Sequence, residues 1–327
     1  MIPIGQIREA ARTIQGLAIR TPLLRLPRPE ATDGREIYLK LEVLQPIGSF
    51  KIRGAMNRVE RIPRAELAAG VWTASAGNMA QAASYAAHRA GAGCTVLVPE
   101  SAPETKLRAV ARLGGTIVKL PFDRWWRVFE ERSYPGMRGT MVHPFDDDDV
   151  MAGNGTIGLE ILEDLPDADT ILVPWGGGGL ACGIASAVRG ASAGARVFAA
   201  EVATAAPHAA SLAAGEPRQV ERVPSFVDGI GGTGVFPRMF GLARELLAGS
   251  LVAELGEVEE AVRTLVERAR IVAEGAGACP VALALSGRAP GRKIVCVVSG
   301  GNIDAAVLAE ILREGRTPTP NDAQVRA

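Results

Sequence analysis

Short apolar runs rich in Val, Ile and Leu recur along the chain and alternate with longer stretches whose apolar residues follow a helical period. The runs at 37–41, 71–74, 94–98, 116–120 and 140–142 read as strands, as do 170–173, 196–200, 251–254 and 293–298. Between them, 78–90, 104–113 and 258–272 read as helices. Strands that stay apolar instead of alternating with polar residues are buried on both faces. The pattern therefore predicts an α/β fold with open, twisted, mostly parallel sheets covered by helices. In such folds ligands bind beyond the carboxyl ends of the strands, at helix N-termini.

The spacing divides the chain. Residues 63–143 hold four of the strands and read as a small mobile domain, while 1–62 plus 144–327 read as a larger, discontinuous domain. The cleft between two such units is where a small-molecule site is expected. The tail after Glu314 reads as disordered. The chain ends soon after its last strand–helix unit, so no regulatory domain and no end-product control are expected.

Composition narrows the class. At 327 residues and 47% hydrophobic, with 38 glycines, the chain suits close helix-on-sheet packing with many tight turns. Its 36 Lys and Arg balance 36 Asp and Glu, which gives no support to a nucleic-acid partner. No apolar run reaches the length of a membrane span, and the N-terminus lacks a signal-peptide pattern. Cys94, Cys182, Cys279 and Cys296 are far apart and sit in apolar runs, as free thiols in a reducing cytoplasm do.

Four junctions carry the chemistry. Val173-Pro174-Trp175 runs into Gly176, Gly177, Gly178 and Gly179 and then a helix. Bare backbone N–H groups there can converge on a phosphate, aided by the positive end of the helix. The spacing fits neither a dinucleotide fingerprint nor a P-loop, so a phosphate monoester is the better ligand. Ser75-Ala76-Gly77-Asn78-Met79 also joins a strand to a helix; Asn78 is either a helix cap or a donor to a ring oxygen. Ser299-Gly300-Gly301-Asn302 repeats the arrangement after 293–298. In Gly48-Ser49-Phe50-Lys51, a lysine stands at the mouth of a helix, where shielding from water would keep its amine partly deprotonated. Together these junctions suit one ligand bearing an aldehyde, a phosphate, a ring oxygen and a ring nitrogen.

The ordered set of motifs resembles the fold-type II pyridoxal-phosphate enzymes, which have the tryptophan synthase β-like fold, and most closely the threonine/serine dehydratases. The resemblance runs from Thr21-Pro22-Leu23 to Ser299-Gly300-Gly301-Asn302. It includes Leu39-Lys40-Leu41-Glu42, residues 48–55 and 74–81, His143-Pro144-Phe145-Asp146, residues 155–160 and the Gly176 tetrad. It implies pyridoxal 5′-phosphate as cofactor, bonded to Lys51, stacked near Phe50, held at its phosphate by Gly176–Gly179, at its O3′ by Asn78 and at its ring nitrogen by Ser299. Ser75, Ala76, Gly77, Asn78 and Met79 would line the substrate, with its carboxylate against Ser75–Asn78. The implied reaction is dehydration and deamination of a 3-hydroxy amino acid such as L-threonine or L-serine, by a cytoplasmic homodimer. A neutral Ser299 opposite the ring nitrogen favours expulsion of a leaving group over transamination.

Departures from the family pattern shift the expectation. Ala76 stands where serine racemases carry a serine that acts as second base, so racemisation is disfavoured. Met79 replaces a histidine, which leaves the substrate side chain open. Alternatives are a lyase for 3-hydroxyaspartate, phenylserine or an intermediate of compatible-solute breakdown. From another class, the chain reads as a nucleotide-binding regulator or a catalytically silent cofactor binder. Some relatives bind a cation near the place of Glu201 through a second carboxylate six residues on. Pro207 stands there, so no metal is expected. Asp146–Asp149 reads as a solvated helix start, Glu274 as a neighbour of the cofactor, and His143 and His88 as structural.

Overall fold

Alternate residues of the apolar strands feed two different cores, which is why those strands show no polar face. In the computed structural model, which describes residues 1–28 and 32–314, ten strands form two sheets. They are β1 (Leu23–Arg25), β2 (Glu36–Leu41), β3 (Val71–Ala74), β4 (Cys94–Pro99), β5 (Gly115–Leu120), β6 (Thr140–Met141), β7 (Thr170–Pro174), β8 (Arg196–Val202), β9 (Gly249–Ala253) and β10 (Lys293–Val298). The larger sheet has the order β1-β2-β10-β7-β8-β9 and the smaller β5-β4-β3-β6. All pairings are parallel except β1 against β2. In β10, Ile294, Cys296 and Val298 enter one core and Val295 and Val297 the other. In the smaller sheet Val96 and Val98 face one core and Trp72, Ala74 and Leu97 another. The four cysteines are free and buried, and burial pushes their thiols up, Cys94 to about 11.

Three features depart from the sequence reading. The edge strand β1 has no counterpart among the expected strands, because three residues are too few to show a period. The helix expected over 258–272 runs as Leu255–Thr264, widens into a π-helix over Leu265–Ala269 and stops at Arg270, whose φ is +61°. The acidic run does open the helix Asp148–Asp164, with the Asp147 carboxylate accepting from Val150 N at 3.0 Å. It is not a solvated run throughout, however. Asp146 is buried and held by Arg132 and Arg238. The tail after Glu314 lies outside the described residues.

The helix Lys51–Glu60 is anchored through a buried ion cluster. Arg53 is 1% exposed and grips Glu42 with Nε and Nη2, both at 2.8 Å. Its Nη1 and Nη2 donate to the two Glu160 oxygens at 2.6 and 2.9 Å, and Nη1 also reaches Thr156 Oγ1 at 3.1 Å. Lys40 Nζ adds a second cation, 2.6 Å from Glu160 and from the Thr21 carbonyl. Two cations thus face two carboxylates, with every charge hydrogen-bonded, the condition under which buried ions are tolerated.

Candidate active site

The turn before the Lys51–Glu60 helix and the turn after β10 are one hydrogen-bonded unit. Phe50 N donates to the Ser299 carbonyl at 2.9 Å, and Gly301 N to the Gly48 carbonyl at 2.9 Å. Gly48 has φ +70°, and a Cβ there would stand 2.8 Å from Asn302 Oδ1, so this close approach requires glycine. Lys51 is therefore presented by backbone pairing to the last central strand.

Its side chain enters a cavity of about 460 Å³. Ala74, Pro99 and Pro174, the last residues of β3, β4 and β7, line it, as does Ser299 just beyond β10. The cavity thus opens at the carboxyl ends of strands from both sheets. Every site residue expected from the sequence lines it: Phe50, Lys51, Ser75, Ala76, Gly77, Asn78, Met79, the four glycines Gly176–Gly179, and Ser299.

Lys51 Nζ donates to the Pro144 carbonyl at 2.7 Å and lies 5.1 Å from the centre of the Phe50 ring. Burial lowers its pKa to about 8, against the opposing pull of Glu274. Glu274 is 6% exposed and pushed up to about 7, first by burial and then by the charge of Asp228. Asn78 Nδ2 donates to Glu274 Oε1 at 2.8 Å, while Asn78 Oδ1 accepts from Asn302 Nδ2 at 2.7 Å. Asn302 Nδ2 also donates to the Ile47 carbonyl at 2.9 Å, which fixes its orientation and through it that of Asn78. The sequence placed Glu274 beside the cofactor, and the structure puts it in the cavity lining, but the sequence gave no role to Asn302. The closing Asn of Ser299-Gly300-Gly301-Asn302 was the available signal.

The glycine loop is pressed against aromatic rings. A Cβ on Gly177 would overlap the Phe145 ring. One on Gly179 would stand 2.5 Å from the Phe145 carbonyl oxygen, and Gly178 has φ +89° with Trp175 against it. The helix Gly179–Gly190 starts in the cavity wall, where its first N–H groups have no intrahelical partner. A cup of free N–H donors, a desolvated amine, an oriented amide and a hydroxyl fit the four groups of pyridoxal phosphate.

His143 is structural, as expected. Its Nδ1 accepts from Asp146 N at 2.9 Å, its Nε2 faces the Phe129 carbonyl, and burial lowers its pKa to about 4. Glu201 receives His208 N at 2.9 Å, Ala209 N at 2.7 Å and Ser250 Oγ at 2.5 Å, so its carboxylate caps the helix Pro207–Ala214. Among the described residues no three His, Cys, Asp or Glu side chains gather as a metal site. No helix among them is long and apolar enough to cross a membrane.

Comparison with known proteins matches residues 14–300 to the pyridoxal-phosphate dependent enzymes. The chain belongs to that family. An L-threonine ammonia-lyase from Thermotoga maritima is 37% identical over 96% of this chain and 79% of its own. The solved T.th. threonine deaminase superposes with a TM-score of 0.84 at 32% identity, covering 92% of this chain and 99% of that one. Maize serine racemase also gives 0.84, at 31% identity over 95% and 97%. The fold is thus the fold-type II architecture expected from the sequence, and the cofactor of this enzyme is pyridoxal 5′-phosphate.

Proposed function

We propose that this pyridoxal-phosphate enzyme dehydrates and deaminates a 3-hydroxy amino acid, L-threonine or L-serine, to a 2-oxo acid and ammonia. The observation that carries the reading is Lys51, a desolvated amine held at the Pro144 carbonyl in the same cavity as the glycine cup, Asn78 and Ser299. The names of the threonine ammonia-lyase and threonine deaminase relatives point the same way.

When bound, pyridoxal phosphate supplies an aldehyde that bonds to an amine and a ring that spreads the charge left when Cα loses a proton. Lys51 is the residue that would hold the aldehyde, and its amine is placed to take the Cα proton, which its lowered pKa permits near neutral pH. The N–H groups of Gly176–Gly179 would hold the phosphate, Asn78 would serve O3′, Phe50 would pack near the ring, and Ser299 would serve the ring nitrogen. The segment Ser75–Asn78 would receive the substrate carboxylate at the start of the helix Asn78–Arg89, although Ser75 N itself is taken by the Leu97 carbonyl at 3.0 Å. Ala76 carries no group that could return a proton from the opposite side, which favours elimination over racemisation. We also propose that 63–143 moves as a small domain against 1–62 plus 144–327, and that the enzyme works as a cytoplasmic homodimer. The purified holoenzyme should release 2-oxobutyrate from L-threonine; formation of D-allo-threonine, the product of inversion at Cα alone, without oxo acid would rule the reading out.

The crowding of the glycine loop and the desolvation of Lys51 each have a measurable consequence. Gly177→Ala forces Phe145 to shift and should weaken cofactor binding at least about tenfold, one lost charge-assisted contact or more. Equilibrium titration of the apoenzyme by visible absorbance checks it, with circular dichroism to confirm folding. The second consequence concerns pH. Only the unprotonated Lys51 amine captures the aldehyde, and it is free above its pKa of about 8. Apoenzyme reconstitution should therefore accelerate roughly tenfold per pH unit up to about 8 and level off above. Deprotonation of Glu274 near 7 works against this rise, so Glu274→Gln should move the inflection to lower pH. A reconstitution rate flat from pH 6 to 9 would contradict the assignment of Lys51.

A further inference from the structure

Aromatic residues are only 5% of this chain, yet they make up half of residues 122–129. That stretch is the helix Phe122–Glu131, with Phe122, Trp125, Trp126 and Phe129 within two turns. Phe122, Trp125 and Phe129 line the same cavity as Lys51.

The rings form a continuous path. Phe122 is 60% exposed at the rim and lies 5.8 Å from Trp125 between ring centres. Trp125 meets Phe129 edge-on at 4.9 Å, and Phe129 stacks on Phe145 at 6.1 Å. Phe145 directly follows Pro144, whose carbonyl holds Lys51 Nζ. Trp125 is fixed in place by its indole N–H, which donates to the Leu97 carbonyl at 3.0 Å. Packing of the smaller sheet accounts for Phe129, which is 6% exposed, but leaves Phe122 unexplained. A phenyl ring more than half exposed at a cavity rim remains available to a ligand.

Other lining residues agree. Met79, Pro99, Ala102 and Pro103 contribute apolar surface. The nearby cation Lys106 is paired with Asp228, which leaves Arg222 as the other basic residue of the lining. Aromatic and apolar linings of this kind take flat apolar groups, held by edge and face contacts.

We infer that Phe122, Trp125 and Phe129 form the side-chain subsite of this enzyme and that it accepts β-aryl 3-hydroxy amino acids of the 3-phenylserine class. The inference rests on the lyase reading above. For L-threo-3-phenylserine the Cα–H and Cβ–O bonds break and water leaves; hydrolysis then returns that water and releases nitrogen as ammonia. One phenylserine gives one phenylpyruvate and one ammonia, with no external oxidant or reductant.

The test is kcat/KM of the holoenzyme for L-threonine, L-threo-3-phenylserine and 3-hydroxyaspartate, together with inhibition of threonine turnover by L-phenylalanine and by L-2-aminobutyrate. Neither inhibitor has a leaving group, so both report binding alone. Phenylserine should be processed, and L-phenylalanine should inhibit more strongly than L-2-aminobutyrate. Phe122→Ala should lower the phenylserine-to-threonine ratio of kcat/KM by roughly five- to tenfold, the effect of one aromatic contact. It should weaken L-phenylalanine inhibition by a similar factor. Turnover of threonine with no phenylserine turnover and no preference for phenylalanine would overturn the subsite and leave the lyase standing. A preference for 3-hydroxyaspartate would also overturn it, assigning the side chain to Arg222. If no substrate yields an oxo acid, the lyase reading itself fails; selective perturbation of the visible band by L-phenylalanine would then still support an aromatic subsite, and its absence would end both.

Discussion

Lys51→Ala is expected to lower turnover at least about 10³-fold and to abolish covalent capture of the cofactor. Two losses combine. The variant has no amine to bond the aldehyde, and it has no base at the one place where a desolvated amine enters the cavity. Removing a positioned general base alone costs about 10²–10⁴-fold, and loss of the covalent anchor adds to it. Borohydride treatment of the wild type should bleach its visible band and fix the cofactor's mass on the peptide containing Lys51, whereas the variant should gain no mass. Small primary amines should restore part of the activity of Lys51→Ala, since the space left by the side chain opens beside the Pro144 carbonyl. A variant that keeps wild-type turnover, or that still fixes cofactor at another lysine, would sink the assignment.

Arg53→Ala should be the most damaging substitution for stability among the charged residues near the site, at about 3–5 kcal/mol. The guanidinium neutralises two carboxylates with bonds of 2.6–2.9 Å, in surroundings where Glu42 has no solvent exposure. Its removal leaves Lys40 as the sole cation of the cluster for Glu42 and Glu160. Arg53→Lys should recover part of the loss, because it keeps the charge but cannot grip both carboxylates with paired N–H groups. Urea unfolding of the apoenzyme measures both variants against the wild type. Equal midpoints for Arg53→Ala and wild type would show that the cluster contributes nothing. Because Arg53 follows Lys51 by two residues on one helix, a loosened cluster should also slow reconstitution with cofactor.

That cluster marks a boundary of what the sequence could say. Lys40, Glu42, Arg53 and Glu160 all lie in the motifs on which the family resemblance rests, yet their spacing gave no reason for them to meet. They are brought together by the parallel pairing of β2 with β10 and the packing of the Asp148–Asp164 helix, contacts spanning more than a hundred residues. The same holds for Asn78. Of its two readings, the structure removes the helix cap, since Gly77 holds that position, and ties the Asn78 amide to Asn302 and Glu274, which are 224 and 196 residues away. Local signals fared better where the cause is local. Gly48 with φ +70° and the bare Gly176–Gly179 loop announce themselves because only glycine tolerates such backbones and approaches.

By itself the sequence determined the α/β class, nine of the ten strands among the described residues, the cofactor, and the junctions that line the cavity. Each of these depends on periodicity or on residue types confined to a few neighbouring positions. Only the tertiary structure decided which polar groups pair. It aimed the Asn78 amide, turned the Asp146 carboxylate inward, gave Glu201 to a helix end and set the aromatic helix against the cavity. Pairing of this kind is a property of distances between elements, and a single chain of residues does not encode those distances locally.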